Sequence, residues 1–303
     1  MQTDYLYWTT RSPGLEYGVT DVGGVQDRGA FGSILSLNGD YSSGFRIAFG
    51  KCFGEDANGP KLLFSYTDFD SEQSEIRIGS GRATFISSDN SENNDTDDAA
   101  NDITPDDRFT SATGNTNFDY QIYDMEIGQS LILSDSLTLR LSGGGRAALI
   151  EEDFDVLYTG GDFQVPYSAF KNTDYQGGGF VAGSDLRWYM FPSLRLDFAT
   201  SLGLVLGRVE TRTFLPDDEP GVPTDVSHAV TRMTPMLEMS MGLNYSQQIG
   251  RFDVNFGGGY EMVNWFNMED SRVFTDSHME AQNAHLIRDL SLDGLYARFT
   301  INH

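Results

Sequence analysis

The sequence has no run of about 18–20 apolar residues, so it contains no segment that could cross a membrane as a helix. Cysteine occurs once, at Cys52, which excludes an intrachain disulfide and a thiolate metal cluster. A lone cysteine beside an apolar strand is typical of a small packing residue. These absences leave a chain of 303 residues, long enough for two ordinary domains or one large β domain.

Positive charge is also scarce. Lysine occurs only at Lys51, Lys61 and Lys171, and 20 basic residues against 45 acidic ones give a net charge of −25. Binding to phosphate-rich surfaces requires clustered positive charge. We therefore expect neither nucleic acid nor an anionic lipid surface as a partner, whereas divalent cations are compatible with this charge.

An alternation of bulky apolar residues with polar or small ones recurs along the chain and predicts β-strands. In the stretch GFRIAFG, Phe45, Ile47 and Phe49 form one face, and after the turn GEDANGP the alternation resumes at Leu62 and Phe64. Further segments with this period are DYLYW, NFDYQIYDMEIGQSLIL, LTLRLSGGGRAALI, GFVAGSDLRWYM, LRLDFATSLGLVLGRV, PMLEMSMGLNYS, RFDVNFGGGYEMVNWF and GLYARFTINH. The pattern predicts about ten strands, and the facing of the first is ambiguous because Tyr5 and Tyr7 alternate with Leu6 and Trp8.

The connections between these strands alternate in length. One set is tight (GEDANGP, SDS, FPS and QQIG), and the other is long and polar, covering approximately 11–38, 72–116, 152–174, 211–229 and 268–289. Transmembrane β-barrels have short periplasmic turns and long outer loops. The pattern therefore predicts that the tight turns and both termini face the periplasm and that the long loops face outward.

The two faces of the strands differ in a way that favours lipid outside and water or charge inside. One face is uniformly large and apolar, while the other carries full charges in mid-strand. The predicted lumen-lining charges are Arg46, Asp124, Glu126, Arg140, Arg146, Asp185, Arg187, Arg195, Asp197, Glu238, Asp253, Glu261 and Arg298. The predicted fold is thus an all-β, antiparallel, up-and-down transmembrane barrel of about ten strands, with twelve as the alternative, in one domain over 1–303. A soluble β-sandwich explains the mid-strand charges less well.

Aromatic residues near the strand ends resemble the girdles that mark the two membrane interfaces of a barrel. They are Tyr7, Trp8, Phe53, Trp188, Tyr189, Phe191, Tyr245, Trp265 and Phe266. The chain opens MQTDYLYW, without the basic segment and apolar core of a signal peptide. Either the chain is intracellular or residue 1 lies near the start of the mature protein, and the barrel pattern favours the second alternative.

Several of these segments together resemble a known family. DYLYW, GFRIAFG followed by a turn, YDMEIGQSLILSDSLTLRLSGGGRAALI and the closing LSLDGLYARFT are similar to the Legionella major-outer-membrane-protein-like, pore-forming β-barrel family, which is also abundant in planctomycetes. The resemblance covers most strands and misses most loops. It implies a location in the outer membrane of a Gram-negative envelope, contact with outer-membrane lipid and the barrel-assembly machinery, and a porin-like role, and it supplies no catalytic residues.

The segment 86–107 is the most acidic stretch of the chain. Its carboxylates are Asp89, Glu92, Asp95, Asp97, Asp98, Asp102, Asp106 and Asp107. Calcium prefers oxygen ligands of this kind, but no EF-hand spacing is present. Two interpretations stay open: a solvated surface loop held apart by like charge, or a loop that binds calcium weakly. No other cofactor is expected, and no metal site is firmly predicted.

Three of the four histidines fall in predicted outer loops near aspartates. His228, His278 and His285 lie close in sequence to Asp225, Asp276 and Asp289. Some outer-membrane barrels carry hydrolase sites at their outer ends, so an outer-membrane hydrolase is a remote alternative. Spacing alone does not identify a catalytic triad, and we expect no enzymatic activity.

Two functions from different classes remain. One is a porin-like protein with a narrow, charge-lined lumen and acidic surface loops. The other is a structural or interaction barrel of the envelope, with no open pore, that forms a homo-oligomer or binds an envelope partner. A barrel of about ten strands is narrow, so we expect arginines and carboxylates to meet across its lumen.

Overall fold

The computed structural model describes residues 1–12, 14–20, 32–37, 39–53, 59–83, 108–215, 224–274 and 283–302. Within them, the chain forms twelve strands. They are β1 (Gln2–Arg11), β2 (Glu16–Thr20), β3 (Ile34–Ser36), β4 (Ser42–Cys52), β5 (Lys61–Ala83), β6 (Arg108–Ser134), β7 (Leu137–Gly160), β8 (Phe163–Phe191), β9 (Leu194–Leu215), β10 (Thr224–Ile249), β11 (Phe252–Phe274) and β12 (Asn283–Asn302). Among the described residues, no helix is long and apolar enough to cross a membrane.

Ten of the strands close into an antiparallel ring. β4 to β12 pair with their sequence neighbours, and β1 completes the ring by pairing with β12 on one side and β4 on the other. β2 and β3 form a small pair attached to the far end of β5, where Gly18 lies opposite Ala83. The predicted all-β, up-and-down antiparallel barrel is therefore confirmed, with ten strands in its ring.

The alternation read from the sequence places its large apolar residues on the outer surface of the barrel. Phe180 is 81% exposed, Leu202 61% and Phe256 56%. On β1, the ambiguity is resolved by Tyr5 and Tyr7, which point outward. This exposed apolar surface is called here the apolar band.

The two ends of the barrel differ. The end called here the turn end holds residues 1 and 302, the strand ends at Cys52 and Lys61, and the connections at 135–136, 192–193 and 250–251. The opposite end, called here the loop end, holds the β7–β8 turn and the strand ends at Ala83, Arg108, Leu215, Thr224, Phe274 and Asn283. The prediction of a long loop at 152–174 is wrong, since β7 runs to Gly160, β8 starts at Phe163, and only Gly161 and Asp162 join them.

The loop predictions were too long because polar residues on these strands face water beyond the apolar band. Phe154, Val156 and Tyr158 are buried inside the barrel, while Asp153 and Asp155 alternate with them on the outside. A strand with one wet face keeps its ladder of backbone hydrogen bonds. The other predicted loops are shortened in the same way, because strands also occupy 72–83, 108–116, 211–215, 224–229, 268–274 and 283–289.

An apolar cluster fills the barrel near the loop end. β2, which falls in the segment 11–38 that the sequence predicts as a loop, contributes Tyr17, and Leu37 lies close to it in the cluster. They pack against Phe109, Phe154 and Tyr158 of the outer strand ends. The Tyr158 hydroxyl donates a hydrogen bond to the backbone carbonyl of Tyr17. The first segment after β1 therefore folds partly into the barrel.

A row of carboxylates crosses the outer surface on the loop-end side of the apolar band. Its members lie directly opposite one another on five neighbouring strands, and they are Asp70, Asp119, Glu151, Asp174 and Glu210. Toward the turn end, the outer surface continues with exposed Tyr123, Leu149 and Leu206. Like charges placed directly opposite one another destabilise a sheet.

Candidate functional site

The lumen at the turn end encloses a charged cavity of about 1450 Å³, called here the chamber. Twelve of the thirteen charges proposed from the sequence line it, and they are Arg46, Asp124, Glu126, Arg140, Arg146, Asp185, Arg187, Asp197, Glu238, Asp253, Glu261 and Arg298. Arg195 is not part of this lining, and its Nε donates to Asp197 at 2.9 Å. Gln2, Gly59, Ser134 and Asn302 also line the chamber, which places its mouth at the turn end.

A fully buried aspartate organises one wall of the chamber. Asp4 of β1 accepts hydrogen bonds from Nε and Nη2 of Arg298 at 2.9 and 2.8 Å. Arg46 approaches the same carboxylate at 3.5 Å and donates two hydrogen bonds to Glu261, at 2.6 and 3.0 Å. Asp4 is a residue that the sequence analysis missed. Its pairing partners on the neighbouring strands, Arg46 and Arg298, are the signal that could have identified it.

A second ion cluster centres on Arg146 of β7. Its Nε and Nη2 donate to Asp124 at 2.7 and 2.8 Å, and its Nη1 donates to Glu238 at 2.5 Å. The guanidinium is buried, so two carboxylates compensate for its lost hydration. Arg146 lies directly opposite Asp124 in the strand register, so the side chains meet with little freedom.

Closer to the mouth, the charges are held less completely. Arg140 donates to Asp185 at 2.8 Å, and its Nη2 lies 3.8 Å from Glu126. Asp197, the partner of Arg195, also accepts a hydrogen bond from the Asn244 amide at 2.7 Å. The mouth therefore combines paired and partly paired groups.

A layer of large aromatic side chains lies across the lumen on the loop-end side of the chamber. The members of this aromatic layer are Trp8, Phe69, Tyr120, Tyr175 and Trp265. Ring centroids are 5.6 Å apart for Trp8 and Phe69, 6.3 Å for Trp8 and Tyr120, 6.5 Å for Tyr120 and Trp265, and 5.9 Å for Tyr175 and Trp265. The five rings come from β1, β5, β6, β8 and β11, so the layer connects strands on different sides of the ring.

Two members of the layer correct a sequence prediction. Trp8 and Trp265, which were assigned to the interfacial girdles, are 1% and 0% exposed inside the barrel. Trp8 shares the inward face of β1 with Asp4 and Leu6, so the strand parity, rather than the aromatic character, decides its position. The Arg46 guanidinium lies 5.6 Å from the Trp8 ring centroid and joins the chamber to the layer.

The structure describes only some of the other candidate residues. The acidic segment 86–107, His278 and His303 lie outside the described residues, as does the side chain of His285. His228 is half-buried on β10, and Cys52 is exposed. Among the residues that the structure describes, no group of three or more His, Cys, Asp or Glu side chains is arranged to hold a metal ion.

A family model described as the Legionella pneumophila major outer membrane protein precursor matches residues 1–302. The chain belongs to this family. Membership in the Legionella major outer membrane protein family, together with the closed ring of strands, identifies an outer-membrane β-barrel protein. The location in the outer membrane of a Gram-negative envelope, which the resemblance implied, is thereby confirmed.

Solved structures similar to this family member include two bacterial outer-membrane barrels. The outer membrane protease OmpT from Escherichia coli is 10% identical over 99% of this chain and 96% of that one, with a TM-score of 0.42. A Pseudomonas aeruginosa FadL homologue is 8% identical over 98% and 89% of the two chains, with a TM-score of 0.25. The comparison with curated proteins finds no match.

Proposed function

We propose that this outer-membrane barrel is a structural and interaction protein of the envelope whose lumen does not conduct in its resting state. The observation that carries this proposal is the aromatic layer. Trp8, Tyr120 and Trp265 are in ring-to-ring contact and almost without solvent exposure. Aromatic rings packed at these separations leave no room for a continuous column of water.

The ion clusters of the chamber support the same proposal. An open pore uses its charges to face permeating ions, so these charges must stay in contact with water. Arg146 and Arg298 instead donate to carboxylates at hydrogen-bond distance, and Asp4 is fully buried. Charges satisfied by one another stabilise the wall rather than guide solutes.

In this proposal, the turn end faces the periplasm and the acidic segment 86–107 faces outward, because outer-membrane barrels have short periplasmic turns. The apolar band contacts outer-membrane lipid, and the barrel-assembly machinery inserts the chain. The outward loops are the part available to an envelope partner, to a further copy of the chain or to cations. We propose no catalytic activity for this site.

Conductance in planar lipid bilayers tests the proposal. The wild-type barrel should show no steady channels. Trp8→Ala combined with Trp265→Ala removes the centre of the aromatic layer, and it should open conducting events once Tyr17→Ala and Tyr158→Ala also remove the centre of the apolar cluster near the loop end. Trp188→Ala is the matched control, because Trp188 is exposed on the apolar band. Steady wild-type conductance of general-porin size would contradict the proposal and favour the porin-like alternative.

A further inference from the structure

Three cationic side chains occupy the wall of the chamber near its mouth, on β5, β7 and β8. They are Lys61, Arg140 and Arg187, called here the cationic rim, and all three line the chamber. Arg187 lies opposite Thr138, two residues from Arg140 on β7. Lys61 lies opposite Gly128, which in turn lies opposite Ser142, two residues from Arg140 on its other side. With strands about 4.8 Å apart and a rise of about 3.3 Å per residue along them, the rim spans about 20 Å of wall between Lys61 and Arg187.

The hydrogen-bonding capacity of Arg140 is only partly used. Its Nη1 donates to Asp185, but its Nε and Nη2 are buried and have no hydrogen-bond acceptor among the described residues. A Cβ built on Gly128 would lie 2.8–2.9 Å from Nη2, Cζ and Nε, so the guanidinium rests face-on against this glycine. Buried donors without an acceptor are unfavourable and are usually satisfied by water or a ligand.

The other two members of the rim have even less compensation. Within the described part of the chain, neither Lys61 nor Arg187 forms an ion pair with a carboxylate. The deeper arginines differ, since Arg46, Arg146 and Arg298 each donate to at least one carboxylate through two nitrogens. The deeper arginines are therefore held in ion pairs, whereas the rim contains two cations, Lys61 and Arg187, that form none in the described part of the chain, although Asp197 lies opposite Arg187 in the strand register.

We infer that the cationic rim is a binding site for an oxyanion-bearing solute, carrying a carboxylate or a phosphate group, that enters the chamber from the turn end. An oxyanion accepts several charge-assisted hydrogen bonds at once, which is what the free Arg140 N–H groups and the two unpaired cations provide. The hydroxyls of Ser130, Thr138 and Ser142 line the same wall and add further donors. The chamber of about 1450 Å³ holds a solute considerably larger than its anionic group.

The low overall positive charge of the chain does not exclude this site, because the local clustering of cations decides whether an anion binds. Asp185 and Glu126 hold Arg140 in place from one side and leave its Nε edge without a protein acceptor. The aromatic layer closes the chamber on its loop-end side, so the solute binds and leaves through the same mouth. The inference concerns a blind binding site and goes beyond the proposed structural role.

Isothermal titration of the detergent-solubilised barrel with inorganic phosphate, and separately with citrate, tests this inference. We expect saturable binding of at least one of the two probes, and we expect Lys61→Gln combined with Arg187→Gln to raise its Kd by about tenfold or more. The preferred probe distinguishes a phosphate site from a carboxylate site. Arg208→Gln is the matched control, since Arg208 lies on the outer surface and pairs with Glu210.

The electrophoretic mobility of each variant is compared before and after heating. A variant whose mobility still changes on heating has a folded barrel. Saturable binding that is lost in the double variant and kept in the Arg208→Gln control supports the inference. Absence of saturable binding in the wild type, or equal affinity in the double variant, would overturn it. Neither result depends on conductance, so this inference and the proposed non-conducting lumen fail separately.

Discussion

Asp4 and Arg298 form a two-pronged ion pair across the pairing of the first and last strands, with N···O distances of 2.9 and 2.8 Å. They lie directly opposite one another in the register of β1 and β12. Because Asp4 has no solvent exposure, the pair replaces the hydration that its carboxylate loses on folding. The pair thus fixes both the register of these strands and one wall of the chamber.

Removing one partner of this pair should destabilise the barrel more than removing both. Asp4→Ala leaves Arg298 and Arg46 without their shared carboxylate, and we expect it to lower the free energy of unfolding by about 3–5 kcal/mol. Asp4→Leu combined with Arg298→Met should cost less, since no uncompensated charge is left behind. Urea unfolding in lipid vesicles measures both. Arg208→Ala, at an exposed pair, should change stability by no more than about 1 kcal/mol. A double variant that loses as much stability as Asp4→Ala, or more, would contradict the paired-lumen interpretation.

The two faces of β9 should respond differently to a new charge. Leu204 is 52% exposed on the apolar band, whereas Ser201 lines the chamber. We expect Leu204→Arg to destabilise the barrel by about 2–4 kcal/mol if the site lies near the middle of the bilayer. Ser201→Arg should be milder because it faces a polar cavity near Glu238, its neighbour in the strand register. Equal damage from both, measured by heat-dependent electrophoretic mobility, would show that the facing is wrong.

The orientation of the barrel can be tested by cysteine labelling in a Cys52→Ser background. Val165 is exposed close to the tight β7–β8 turn at the loop end, and Asp135 lies in a tight turn at the turn end. A membrane-impermeant maleimide should label Val165→Cys on intact cells and should label Asp135→Cys only after the outer membrane is permeabilised. The reverse pattern would place the turn end outside the cell.

The row of carboxylates on the outer surface should make stability depend on pH. Partial burial, followed by repulsion from Asp174, Asp153 and Asp119, raises the pKa of Glu151. Partial burial, followed by repulsion from their own neighbouring carboxylates, also raises the pKa of Asp119 and of Asp174. A carboxyl whose pKa is raised on folding binds its proton more tightly in the native state. Its destabilising contribution is therefore fully present above the folded pKa and disappears as the pH falls below the unfolded pKa.

Glu151→Gln should therefore stabilise the barrel at neutral pH, by about 0.2–1 kcal/mol, and should lose this advantage in acid. Glu72→Gln is the matched control, because Glu72 lies opposite Asn117 rather than another carboxylate. Thermal unfolding followed between neutral and acidic pH measures the difference. A stabilisation that is the same at both ends of this range would show that repulsion within the row is not its cause.

The strands and the size of the ring could be predicted from the sequence because both depend on a local signal. Lipid on one side and a polar lumen on the other give a strict period of two, as at Tyr123, Met125 and Ile127, all exposed on β6. The same signal fails beyond the apolar band. There, the outward residues are polar, as at Asp153 and Asp155, and a strand that faces water resembles a loop.

The centre of the site could not be predicted for a different reason. On β1, both faces carry large residues, so Tyr5 and Trp8 could not be assigned to lipid or lumen from the strand alone. Only the register with β4 and β12 places Asp4 between two arginines and turns Trp8 inward. Contacts across strands that are distant in sequence decide the aromatic layer, and no local pattern reports them.

The pairing of β1 with β12 also dictates an order of assembly. Residues 2–11 and 291–300 are neighbours in space but almost 300 positions apart along the chain, so the ring cannot close until the last strand has emerged. Until then, β1 and the most recently added strand each carry an unpaired edge, and unpaired backbone groups are strongly unfavourable in lipid. Ring closure between such distant segments is also slow. We therefore expect the growing sheet to need a temporary edge partner, and we expect its final folding step to replace that partner with its own first strand.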